Sequence, residues 1–550
     1  MLYKEFVDNS VWLYYKELYG ILLNLIQVDK GVDVFLNIIN SSERDTYTNK
    51  DWTFYAKYAK KKKYIPQQCA NFCPYHEKCQ HEINMLETAV IQRRDIVVLK
   101  EPEFVDITSA QSDLYNAFNK AMAADDKKIH IIKAQTSIGK THMYIDYLKN
   151  ADAPCMIAVP TNILKHQVHR ECIKAGIDAI KTPSIQEIRD ELPQDIYDKI
   201  QTLYATGNHK RANIYLKEKA KEIPVLKNYL EEKENVMNYH GHIITTHHRV
   251  LYSNESWLKK YKIIIDEDIL MTIVCNQEKI DLADVEEFSE KNRIPKTIRK
   301  YLNKLLSLSE EYELFSVEPI EDHLDECSFN INDLMKGKYF YSDGEYIYFY
   351  RRNGLSDTKY VVLSATASEY VYEHFFGKDT IIFHECPTAK YKGQLIQHYG
   401  GSYSRAYIKK NMGIFDNIKN KYGNIDTITF KKYSSSDSEL HIGNTEGINS
   451  LEGKDIAVIG TPHQPPFIYS LLALHMDCAD TEQPHYRDIV HNGYHFWFYT
   501  YKNEILRNIQ LWMIESELEQ CVGRARLLRN DCTVHLFSDY PIRHAKLTRD

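Results

Sequence analysis

The chain has 550 residues, of which 43% are hydrophobic and 26% charged, and a net charge of −7. That balance excludes a disordered chain, and the length exceeds a single core and predicts about three to four domains. No global basic field advertises nucleic acid, although a motor needs only a local basic groove. The longest apolar stretch, around Ile21 to Val28, is interrupted by Asn24 and Gln27. It falls far short of the roughly twenty residues that cross a bilayer, so no membrane partner is expected. The N-terminus lacks a signal-peptide pattern, and eight of the eleven cysteines are scattered. Both features point to a reducing, cytoplasmic setting.

Residues 1–100 read as a separate module. Trp12, Tyr15, Leu18, Leu22, Leu25 and Ile26 recur at helical spacing. Further on, Cys69, Cys73, Cys79 and His81 gather three thiols and an imidazole within thirteen residues. Tetrahedral Zn²⁺ takes such a set, and so short a knuckle needs a metal to hold it. His76 is the rival fourth ligand, and unliganded thiols or an iron–sulfur centre are the other readings of the cluster. Just upstream, Trp52, Phe54, Tyr55 and Tyr58 precede Lys60, Lys61, Lys62 and Lys63. Rings interleaved with basic residues suit a module that grips nucleic acid, while a solvated helix face is the plainer reading.

A short apolar strand, 129–133, then leads into Ala134-Gln135-Thr136-Ser137-Ile138-Gly139-Lys140-Thr141, and 140–149 reads as a helix. Strand, turn and helix are the context of a phosphate loop. Gly139 lets the backbone approach a triphosphate, Lys140 supplies a point charge, and the Thr141 hydroxyl suits Mg²⁺. The helix N-terminus adds its dipole. ATP and Mg²⁺ are therefore expected. More strands follow at 155–159, 242–245, 263–265 and 360–363, short and without alternation, as in a parallel sheet buried on both faces. The expected class is α/β. Asp266 and Glu267 end one of these strands, where ligands bind. Asp266 is read as holding the metal through water, and Glu267 as polarising the attacking water. Two stretches interrupt the rhythm. Residues 172–238 read as helical, and 276–355 as helical first, then a hairpin about Asp343-Gly344. A second α/β unit runs from about 386 to 550, with strands near 427–430, 455–460 and 533–537.

The ordered set resembles the superfamily 2 helicases. Motif I is Ala134 to Thr141, motif II Asp266 to Ile269, motif III Ser364-Ala365-Thr366, and motif VI Gln520 to Arg526. The family has alanine at the position of Ala134, whereas Ser137 stands where it usually has glycine. The resemblance implies that Gln111 reads adenine. It also implies that Thr161, Thr246, Gly447 and Asn449, in weaker motifs, contact nucleic acid. Ser364, Ala365 and Thr366 would couple the two sites. Gln520, Arg524 and Arg526 would join Glu267 in hydrolysis. Leu527 occupies the place of the family's last arginine, which makes Arg524 the expected arginine finger and Arg526 the second candidate.

The implied fold is two RecA-like parallel-sheet domains, 101–385 with insertions at about 172–238 and 276–355, and 386–550, after the N-terminal module of residues 1–100. Insertions on both sides of motif II are similar to those of the XPD/DinG group. Only Cys155 and Cys172 lie between motifs I and II, however, so a four-cysteine iron–sulfur cluster is not expected there. The implied function is an ATP-dependent helicase or translocase on single-stranded or tailed duplex nucleic acid, with DNA favoured over RNA by the insertion layout. The alternative is a nucleic-acid-stimulated ATPase switch or loader with protein partners in a replication or defence assembly.

Overall fold

The computed structural model describes residues 2–549 apart from 9–10, 43–49, 80–82, 88–94, 292–293, 309–314, 317–326, 435–439, 446–449 and 481. The chain divides into two compact units, Met1–Leu99 with Asp488–Trp497, and Lys100–Arg487 with Phe498–Asp550.

In the first unit the helices Tyr15–Leu25, Gly31–Ser41 and Trp52–Lys61 enclose a core that includes Ile21, Leu22, Phe35 and Trp52. Asn24, which breaks the apolar stretch, is fully buried and satisfied. Its amide donates to the carbonyls of Gly20 at 2.9 Å and Gln67 at 3.1 Å, and its Oδ1 accepts from the Met85 N–H at 3.1 Å. A buried amide with these partners fixes where the cysteine-bearing segment lies on the helix. Gly20 permits that approach, because a Cβ there would meet the Phe72 ring at 2.1 Å. Val97 and Val98 pair antiparallel with His495 and Tyr494, a long-range pairing with no signal in local pattern.

The second unit holds two parallel sheets. Across the first, the strands run Ile381–Glu385, Ile129–Lys133, Tyr360–Ser364, Lys262–Asp266, Cys155–Val159, His242–Thr246 and Ala179–Lys181. Every neighbouring pair is parallel. Cys155–Val159 is buried at every residue, since helices cover both faces, which is why no alternation marks it. The phosphate-loop strand, 129–133, lies between two strands from much later in the chain. Its successor, 155–159, is separated from it by two others. Such a reversal of winding opens a crevice at the carboxyl ends of the strands.

The second sheet runs Asp426–Thr429, Ile456–Ile459, Thr533–Phe537, Gln394–Tyr399 and Lys546–Arg549, again all parallel. The chain thus folds into two RecA-like sheet domains.

Between strands of the first sheet, Gln194–Ala205, His209–Lys219 and Pro224–Asn238 form the helical stretch expected there. The stretch after motif II departs from expectation. It begins with a strand, Cys275–Asp281, rather than a helix. That strand pairs along its full length with Tyr346–Arg352, and this distant partner overrides a local sequence without strong periodicity. The hairpin Tyr339–Ser342 and Tyr346–Arg352 turns at Asp343-Gly344, with Gly344 at φ +87. Its Phe340, Ile347 and Phe349 are buried core, and Arg351 is buried in an ion pair with Asp333 rather than lying on the surface.

Candidate active site

The carboxyl ends of the first sheet's strands carry the predicted motifs, and strand register sets their spacing. Leu363 lies opposite Asp266, and Ser364 opposite Lys133. The ladder continues past the strand ends. The Ala134 N–H donates to the Ser364 carbonyl at 2.8 Å, and the Glu267 N–H to the Leu363 carbonyl at 2.9 Å. Motifs I, II and III are therefore joined backbone to backbone.

The loop expected to bind phosphate turns through two left-handed residues, Ser137 at φ +63 and Gly139 at φ +117, before the helix Lys140–Leu148 begins. Lys140 is buried, and its Nζ donates to the carbonyls of Ala134 at 3.1 Å and Gln135 at 3.4 Å. Gln111, on the helix Ile107–Ala123, donates to the Ile138 carbonyl at 2.8 Å. Gln135 faces away from the loop's mouth, accepting from the Ala389 N–H at 3.0 Å. Ala134 and Ile138 are packed in the core beneath.

A cavity of about 470 Å³ opens over this loop. Thr136, Ser137, Gly139, Lys140 and Thr141 line one wall, with Asp266 and Glu267 beside them. Gly523, Arg524, Arg526 and Arg529, from the second sheet domain, line the cavity as well. Such a donor set fits a triphosphate with a divalent cation, with ammonium and guanidinium groups for phosphate oxygens and a hydroxyl and two carboxylates for the metal. Thr141 and Asp266 would hold Mg²⁺, which would neutralise charge on the β and γ oxygens.

Asp266 is buried. Its Oδ2 accepts from the Tyr144 hydroxyl at 3.0 Å, and its carbonyl accepts from the His247 ring at 2.8 Å. Burial, then the Glu267 charge, pushes its carboxyl up to about 7, against the pull of Lys140. Glu267 leaves the strand at φ +79, a conformation that costs an ordinary residue about 1–2 kcal/mol. Asp268 accepts from the Leu270 N–H at 2.8 Å, the Tyr372 hydroxyl at 3.1 Å and the Ser364 hydroxyl at 3.4 Å. Burial raises it to about 6.

Motif III reaches both ways. The Ser364 Oγ accepts the N–H groups of Thr366 and Ala367, each at 3.0 Å, while its own proton goes to Asp268. The Thr366 carbonyl accepts from the Trp512 indole at 2.8 Å and the Ser516 hydroxyl at 3.4 Å. Both donors sit on the long helix Glu504–Gly523, whose C-terminus carries motif VI. Arg524 caps that helix and donates from Nε to the Gln520 carbonyl at 3.2 Å. Arg526 pairs with Glu452 at 2.9 Å.

Arg529 lies outside the predicted motif. Its Nε donates to the Ser137 carbonyl at 3.1 Å and its Nη2 to the Ile138 carbonyl at 3.0 Å, joining the second sheet domain to the phosphate loop. The only sequence signal was a third arginine shortly after Arg526, off the expected register.

Thr161 and Thr246 each cap a helix, accepting from the Leu164 N–H at 3.2 Å and the Arg249 N–H at 3.4 Å. Thr161 also lines the cavity. Gly447 and Asn449 lie outside the described residues. In the cysteine-bearing segment, the Cys73 N–H donates to the Cys69 carbonyl at 2.8 Å, placing the two residues on one turn. His76 Nδ1 lies 3.2 Å from the Cys73 carbonyl. The Cys79 side chain and His81 lie outside the described residues. Elsewhere Asp113, His384 and Cys386 place ligand atoms within 4.8 Å of one another. The 2.7 Å contact between His384 Nε2 and Asp113 accounts for much of that grouping without an ion.

No family model matches the sequence, and neither does any curated protein. Among solved structures, S. tokodaii Xpd4 aligns over 80% of this chain and 100% of its own, at 12% identity and a TM-score of 0.45. An apo XPD aligns over 81% and 99%, at 11% and 0.46. The DUF1998 helicase MrfA, solved with DNA and AMPPNP, aligns over 82% and 53%, at 12% and 0.32. Strand order, uniformly parallel pairing and motifs gathered at the strand ends are those of two RecA-like parallel-sheet domains.

Proposed function

We propose that the protein is an ATP-dependent translocase or helicase acting on nucleic acid, with DNA the expected substrate. The observation that carries this reading is the hydrogen-bonded path from Asp268 through Ser364 and Thr366 to Trp512. It links Asp268, which follows the cavity carboxylates Asp266 and Glu267 in the chain, to the helix that leads into the arginines of the facing domain. A cavity walled from both domains favours closure when its occupant is bound and opening when that occupant is cleaved. Lys140 and the arginines bind and orient the triphosphate, Glu267 takes up the proton of the attacking water, and Arg524 stabilises charge on the transferred group. Thr161, Thr246 and Asn449 are assigned to the backbone of a single strand, contacts that carry no base information.

Strand displacement on 3′-tailed and 5′-tailed duplexes of DNA and RNA, with ATP turnover recorded in parallel, tests the reading. Displacement of one tailed duplex, lost together with turnover in Lys140→Ala, is the expected result. Stimulated turnover without displacement of any duplex would mark a switch or loader instead. Turnover indifferent to every nucleic acid would reject the reading.

A further inference from the structure

We infer that the exposed face of the helix Trp52–Lys61, with the lysine turn that ends it, is a second binding site for single-stranded nucleic acid, remote in sequence from the sheet domains. The inference rests on the motor reading and adds to it a surface in the N-terminal unit.

The helix divides cleanly. Trp52, Ala56 and Ala59, at helical spacing, are buried in the core of the unit. The opposite face shows Phe54 at 58% and Tyr58 at 42% exposure, and Tyr64 just beyond the helix at 40%. The Phe54 and Tyr58 rings lie 6.0 Å apart at 24°, and Tyr64 stands edge-on to Tyr58 at 6.3 Å. Lys57 and Lys60 to Lys63 surround them, all exposed. Lys62 Nζ sits 5.9 Å from the Tyr58 ring centre. From Trp52 to His76 the chain has five lysines and no Asp or Glu, in a protein of net charge −7. The acidic residue just before, Asp51, caps the helix by accepting the Phe54 N–H at 2.9 Å.

Lysines at a helix C-terminus complement its dipole, which explains one or two of them but not the rings. Nor is the turn loose, since the Tyr64 N–H donates to the Ala59 carbonyl at 3.0 Å and the Tyr64 carbonyl accepts from Gln27 at 2.7 Å. A polyanion with π faces matches this surface. Phosphates meet the lysines, and bases stack on the rings without sequence preference. An anionic membrane would match the charge, but the exposed apolar groups here are mostly rings, with Ile65 the aliphatic exception.

The test uses the full chain without nucleotide and a fluorescent 20-mer of thymidylate, with binding followed by anisotropy over a salt series. Phe54→Ala with Tyr58→Ala should weaken binding about tenfold or more and leave the salt slope unchanged. Replacing Lys60 to Lys63 by Gln should flatten the slope by up to roughly three. Basal ATP turnover should be unchanged in both. Wild-type affinity and slope in both variants would overturn the inference while leaving the motor reading intact, provided nucleic acid still stimulates turnover. If the variants lose binding to phosphatidylserine vesicles but not to the 20-mer, the face is a membrane site and the inference falls. Absence of stimulated turnover in the wild type would count against the motor reading, and the variants would still decide whether this face binds a strand.

Discussion

Ser137 holds a side chain in the left-handed region, at φ +63, where the helicase motif it resembles usually has glycine. The strain is about 1–2 kcal/mol, partly offset because serine loses less chain entropy on folding than glycine does. Ser137→Gly should therefore raise stability by up to about 1 kcal/mol and retain ATP turnover. Urea unfolding reads the first and steady-state kinetics the second. Arg529 makes a sharper case. It donates twice to the loop, whereas Arg526 is committed to Glu452. Arg529→Ala is expected to lower kcat/KM for ATP by about tenfold or more, equivalent to about 1.4 kcal/mol, and Arg526→Ala by less. The reverse order of effects would reject this ranking. The strand, turn and helix around residues 129–148 were legible in the sequence because an apolar run, a glycine-bearing turn and a helical pattern follow one another there. Arg529 was not, because its partners, the carbonyls of Ser137 and Ile138, are reached through space by a loop whose register departs from the family's.

Among elements, the strand Tyr360–Ser364 does more than fill the sheet. Its last residue shares one hydroxyl among the Thr366 and Ala367 N–H groups and Asp268. Ser364→Ala would leave two buried N–H donors and the half-buried Asp268 carboxylate short of a partner, a loss of about 1–3 kcal/mol. ATP binding should survive, while turnover ceases to respond to nucleic acid; titration of turnover against a single strand checks this, and an unaltered response would rule out the relay. Buried strands such as Cys155–Val159 were legible from unbroken apolar runs. Gln394–Tyr399 was not, although it is interior to its sheet. Its buried Gln397 and His398 break the pattern, and Gln397 is satisfied by the carbonyls of Ser538 at 2.9 Å and Tyr540 at 2.7 Å. The strand Cys275–Asp281 was read as helix because its partner lies some seventy residues on, beyond any local pattern.

For the molecule as a whole, burial sets opposing pH dependences. His247, His463, His475 and His544 are each held down to about 4, chiefly by burial. A histidine depressed in the folded state contributes fully above its unfolded value of about 6.5, and that stability is lost as pH falls toward 4. Asp268, raised to about 6, and Glu519, raised to about 7, act the other way, favouring the fold at acid pH and losing that advantage as pH rises. The two signs separate in a variant. His247→Gln keeps a donor for the Asp266 carbonyl but cannot ionise. Its stability should fall less than wild type between pH 7.5 and 4.5, by roughly 2–3 kcal/mol. Parallel urea curves for the two proteins would remove His247 from the account. The contact between the Trp512 indole and the Thr366 carbonyl joins the two sheet domains through a side chain whose emission wavelength responds to its hydrogen bonding and solvation. Opening of the cavity would break that bond and shift the colour of the light Trp512 emits. The difference in emission between wild type and Trp512→Phe thus makes the protein its own optical gauge of domain separation, readable during a single turnover without any attached dye.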